Sequence, residues 1–175
     1  MGDSTITIIA IFLAAVLMFV FPLMAMSDRN DDVSQLSVQT LTTEFVDNVR
    51  TTGRLTEANY SKYVEQLAST GNTYDVELEA QILDENPGKK ATQADTTKIG
   101  ENVYYNLYTS QILEELCSRN VKNFKEGDIF SASAKNTNVT ISQQLKNAFY
   151  RVTGNDTYQI SAKHAGIVTV NGGNN

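Results

Sequence analysis

Cys117 and His164 are the only cysteine and the only histidine of the chain, and they are the one nucleophile and imidazole that could pair as in a thiol enzyme. Their separation along the sequence gives no reason to bring them together. Cys117 shares a helical segment with Leu113 and Leu116, which predicts a small buried thiol; His164, beside Lys163, reads as an exposed or edge residue. A metal cluster, an iron-sulfur site or a triad with a spare histidine needs more ligands than one Cys and one His supply. The acids Asp31, Asp32, Glu44 and Asp47 do not fall at the spacing of a calcium loop, and read as the solvated side of a helix. Neither a phosphate-cradling glycine loop nor a nucleophile elbow in usable context occurs. The net charge of -6, without a Lys/Arg cluster, gives no electrostatic reason to approach nucleic acid. Glycosylation sequons at Asn59, Asn138 and Asn155 are no more than chance predicts in a chain this rich in Asn, Ser and Thr. No cofactor and no catalytic residue is expected.

The elements that would have to position any chemistry begin with an apolar run. From Thr5 to Met26 only Thr5, Thr7 and Pro22 are not apolar, and none is charged. As a helix this run is about 33 Å long, enough to cross the roughly 30 Å hydrocarbon core of a bilayer once. A retained anchor is the expected state, because Met-Gly-Asp-Ser lacks the basic start of a signal peptide and the run is longer than a signal's apolar region. Ala25-Met26-Ser27 offers a small-x-small pattern, so a cut before Asp28 is the alternative. Orientation is weakly encoded: Arg29, set among Asp28, Asp31 and Asp32, by itself favours a cytoplasmic body. Pro22 is expected either to be absorbed near the interface or to mark a bend shared by packed subunits. Ala10 and Ala14 form a small-xxx-small pair that would let helices approach closely.

Beyond the span, Val33, Leu36, Val38, Leu41, Phe45, Val46 and Val49 recur at helical spacing, and Gly53 offers a stop, so residues 5 to 52 are expected to form one rod about 72 Å long. Thr56 is placed to cap a second helix carrying Tyr60, Tyr63, Val64 and Leu67, ended by Gly71. Period-two alternation from Tyr74 to Ile82 predicts a half-buried strand with an acidic outer face. Residues 84 to 98, with Lys89-Lys90 at the tip, read as a loop; 103 to 108 are open between strand and helix; 110 to 118 read as helix. A turn at Lys125–Asp128 leads into a strand from Ile129, and Thr140 or Ser142 starts a helix. A turn at Gly154–Asp156 follows, then a last element from Tyr158 to Val170, expected to break near Ala165-Gly166. The expected fold is α+β. A transmembrane anchor (1–27) continues as an amphipathic helix (28–53), carries a small, mainly antiparallel head (54–170) and ends in a flexible tail (171–175).

The segment ITIIAIFLAAVLMFVFPLMAM, with Pro22 near its end and an amphipathic helix starting after Asp28, resembles the membrane and filament-core helix of type IV pilins and pseudopilins. The order helix, small α+β head, Gly/Asn-rich end is similar to membrane proteins that accompany pilus-like or secretion machinery in Gram-positive bacteria. The resemblance covers 5 to 52 in outline and the rest by architecture. No basic leader ending in glycine precedes Thr5 and no acid lies within 5 to 26, so prepilin processing is not expected. The resemblance implies a single-pass protein with its body outside the cell membrane, acting as a non-enzymatic structural subunit or accessory pseudopilin of a surface filament or secretion assembly. Its partners would be the lipid bilayer and copies of itself or other pilin-like subunits. The expected assembly interface comprises Ala10, Ala14, Leu17, Pro22, Val33 and Leu36, while the head covers the stripe Val38, Leu41, Phe45 and Val49. The alternatives are a monomeric membrane-tethered binding module and a surface hydrolase with an unidentified acidic pair.

Overall fold

The computed structural model describes residues 2–84, 104–150 and 159–173. Helix α1 (Gly2–Thr52) runs unbroken through Pro22. It is the one helix among the described residues long and apolar enough to cross a membrane. Its apolar half does not pack on the rest of the chain: Ile8, Phe12, Met18 and Phe19 all stand exposed. The second half changes role because its pattern changes. Val38, Phe45, Val46 and Val49 recur at three- and four-residue steps and are buried, with Leu41 packed partly against them.

Gly53 ends α1 in the left-handed conformation (φ 66°), its N–H bonded to the Val49 carbonyl at 2.8 Å. Short strand β1 (Arg54–Thr56) follows, and Thr56 caps α2 (Glu57–Ala68) by accepting from the Asn59 N–H at 3.2 Å. After a turn with Gly71 at positive φ come β2 (Tyr74–Leu83), β3 (Tyr104–Tyr108), α3 (Thr109–Arg119) and β4 (Val121–Asn123). Then β5 (Ile129–Asn136), α4 (Ile141–Tyr150) and β6 (Ser161–Ile167) complete the chain. The open stretch at 103 to 108 is thus a strand from Tyr104. Expectations for Lys89-Lys90, Gly154–Asp156 and Tyr158 lie outside the described residues.

Strands β3-β2-β5-β6 form one antiparallel sheet, and β1 pairs with β4 in a second, two-stranded ribbon. Alternation sorts the large sheet into two faces. Leu78, Ala80, Phe130, Ala132, Ala134 and Ala162 face the helices and join the core with Tyr63, Leu67, Ile112, Leu116 and Phe124. Phe45 stacks on Tyr63 with ring centroids 4.2 Å apart and meets Phe130 edge-on at 5.9 Å, locking α1, α2 and β5 together. Glu77, Glu79, Ser131, Ser133 and Lys163 lie on the opposite face, which carries no helix among the described residues.

One expectation about the last strand is corrected. The chain does not break at Ala165-Gly166: both residues pair with β5, opposite Ser131 and Phe130. The glycine is needed there for room, since a Cβ on Gly166 would come within 2.8 Å of the Arg50 side chain, which crosses it to reach the Ile167 carbonyl at 3.3 Å. Within the expected soft end, Asn171 Oδ1 accepts from Glu126 N–H at 2.9 Å, and the Gly172 N–H donates to Phe124 O at 2.9 Å. The flank of β6 is covered as well. Gln35 bonds both backbone groups of Ser161, at 2.7 and 3.0 Å, which closes part of an edge that would otherwise template another strand.

Candidate functional site on the long helix

The residues expected to contact other subunits all stand free of the head. Ala10, Ala14, Leu17 and Pro22 are exposed. Past the apolar span, Val33 and Leu36 are 58% and 64% exposed. A helix turns 100° per residue, so Val33 falls almost in line with Met26 and Phe19, on the side of α1 opposite the buried Val38 and Val49. The exposed apolar surface of the N-terminal half therefore continues down one side of the second half. The stripe expected beneath the head is where it was expected, with Val46 fully buried beside it.

The acids of α1 divide by height along the helix. Near the apolar half, the Asp31 carboxylate accepts from the Thr140 hydroxyl at 2.7 Å, and Asp28 accepts from Ser142 and pairs with Lys146 at 2.6 Å. Thr140 also accepts from the Gln143 N–H at 3.2 Å, while Gln143 Oε1 accepts from the Thr140 N–H at 3.1 Å, a reciprocal cap on α4. Two carboxylates thus sit at the positive end of a helix. The hydrogen bonds from Lys146 and then Ser142 hold the Asp28 carboxyl below its ordinary value, against a smaller opposing effect of burial. Asp31 is consequently a docking group rather than part of a solvated face, while Asp32 remains exposed. Val139 and Ile141, exposed at this same end, flank Thr140. This junction escaped the sequence reading; the Thr140-x-x-Gln143 box was its only local signal.

Farther down, Asp47 pairs with Arg50 at 3.1 Å and stands 3.7 Å from His164 Nε2, while Glu44 is exposed. His164 therefore faces α1, on an edge strand as expected. Cys117 corrects the sequence reading, because its thiol is exposed. The buried side of α3 is set by Ile112 and Leu116, four residues apart, and the next residue is turned about 100° away from Leu116. Among the described residues no hydrogen bond joins Cys117 to His164, and no group of three or more His, Cys, Asp or Glu is arranged to hold a metal ion.

Burial raises the Tyr63 phenol above its ordinary pKa. That tyrosine is a core residue, stacked on Phe45 and 2% exposed. What the chain displays is a two-sided object: a helix with one uncovered apolar side, and a head that closes over the other. Compared with protein-family models, with curated proteins and with solved structures, the chain matches none.

Proposed function

We propose that this protein is a single-pass membrane subunit, non-enzymatic and pilin-like in the sense of the resemblance above, with its head outside the cell membrane and its contacts to neighbouring subunits made through α1. The observation that carries this reading is the apolar side of α1, which passes from the span onto Val33 and Leu36 while the head covers the other side. Exposed Val139 and Ile141 support the anchoring. They lie level with Asp28 and Asp31, where the bilayer surface would be, and can rest their side chains in the interfacial region.

Cysteines introduced at Val33 or Leu36, in a Cys117→Ala background and oxidised in native membranes, test the contact. The exposure of Cys117 makes its removal necessary, because a free surface thiol would crosslink on its own. Specific disulfides between copies are the expected result. Disulfides only to another protein would make the chain an accessory subunit, and a monomer without crosslinks would favour the tethered binding module.

A further inference from the structure

The outer face of the large sheet has an arrangement that the helix contact does not use. One rung across the strands reads Glu77, Ser133, Lys163, because Glu77 pairs with Ser133 and Ser133 with Lys163. The next rung reads Tyr108, Glu79, Ser131, Ala165, and the one beyond it places Gln81, Ile129 and Ile167 side by side. The middle strand thus places small hydroxyl side chains, Ser133 half-buried and Ser131 buried, between an acidic strand on one side and a lysine on the other. Among the described residues Glu77, Glu79 and Lys163 have no ion-pair partner. Ile167 and Tyr108 stand 57% and 58% exposed on the same face.

We infer that this face pairs with the same face of a second copy, about a two-fold axis running along β5. Such an axis keeps each rung at its own height and exchanges its ends. Glu77 of one copy then meets Lys163 of the other, twice, while Ser133 meets Ser133 on the axis, and two rungs along Ile129 meets Ile129 there as an apolar contact. The small Ser131 and Ser133 side chains let two sheets approach to about the usual 10 Å.

The geometry of the anchor selects this axis. β6 runs alongside α1 in the same direction, since Ser161 meets Gln35 while Ile167 and Thr169 meet Arg50. An axis along the strands is therefore also along α1, so both copies can enter one bilayer the same way round. The three strands that overlap about this axis, β2, β5 and β6, about 4.8 Å apart, and β5's eight residues outline roughly 400 Å² per copy, below the roughly 800 Å² of a standard stable interface. Such a contact does not hold in dilute solution, but it does where a shared membrane keeps copies at high effective concentration. This pairing rests on the anchoring in the proposed function and not on the contact through Val33 and Leu36, which lies on the opposite side of the molecule.

The full-length chain with Cys117→Ala, reconstituted in liposomes, tests it. Ser133→Cys is expected to give a dimer with a short thiol-to-thiol crosslinker. Glu77→Lys or Lys163→Glu alone should lower that dimer about tenfold, since each replaces two attractive pairs with two repulsive ones, and combining the two restores it. No Ser133→Cys dimer, or indifference to the single reversals, overturns the pairing. If crosslinks at Val33 or Leu36 persist in the same liposomes, the helix reading survives that loss; if both disappear while the protein remains inserted, both readings fail.

Discussion

Thr42, fully buried on α1, donates its hydroxyl proton to the Val38 carbonyl at 2.7 Å, so in its 2.9 Å contact with Tyr63 the phenol must be the donor. The two residues are therefore unequal under substitution. Tyr63→Phe removes a donor and leaves Thr42 bonded, which should cost about 1 kcal/mol; Thr42→Val strands a buried phenol and should cost about 1–3 kcal/mol. Urea unfolding of the two variants checks the order, and a larger loss for Tyr63→Phe would contradict the assigned direction. Gly53→Ala is expected to be worse than a left-handed residue alone, about 2 kcal/mol or more, because the new Cβ would lie 2.3 Å from Val170 O and 2.5 Å from Gly172 N. A fall in thermal midpoint with the helix content otherwise retained is the result to look for. At this scale the sequence reading succeeded where one residue type has one local use: Gly53 as a stop, Thr56 as a cap. It failed at Cys117, because its burial depends on which side of α3 the sheet happens to meet, and at Gly166, whose reason is a side chain from α1 more than a hundred residues away.

Helix α4 shows how an element can be legible while its attachment is not. Its start was readable to Thr140 or Ser142, but the partners that hold it, Asp28 and Asp31, belong to the other end of the chain. That attachment is sensitive to acid. Because the folded-state pKa of Asp28 lies below its ordinary value of 3.8, its contribution is present above that value and disappears as pH falls through the lower one. Hydrogen exchange of α4 amides should therefore accelerate on acidification into that range while the amides of β5 stay protected. Asp28→Asn should produce the same loosening at neutral pH, as a modest effect because the pair is partly exposed to solvent. Acid-insensitive exchange in α4 would mean that Lys146 and Ser142 do not hold it. The strand β2 was the opposite case: its strict alternation gave both its span and its faces, although not its pairing with β3 and β5. Strand β3 lacked such alternation, and only pairing with β2 decides it as a strand.

For the whole molecule, the order of apolar helix half, amphipathic helix half and α+β head could be read from hydropathy and periodicity, whereas the layer arrangement, with helices on one sheet face and none on the other among the described residues, could not. Leu17→Asp places a charge in apolar surroundings, whether lipid or neighbouring helices supply them. Carbonate extraction should show it released from membranes or absent altogether, while near-normal insertion and assembly would argue against a span at that position. A further consequence comes from the unbroken course of α1 between Met26 and Val33. With no joint between its apolar half and the half under the head, the azimuth of the head is geared to the azimuth of the apolar half. Inserting one alanine after Met26 turns the head about 100° relative to the membrane half and puts Val33 out of line with Met26; inserting seven restores the alignment to within about 20° and only raises the head by about 10 Å. Assembly measured against insertion length should then oscillate rather than decline, as it would for a head carried on a swivel.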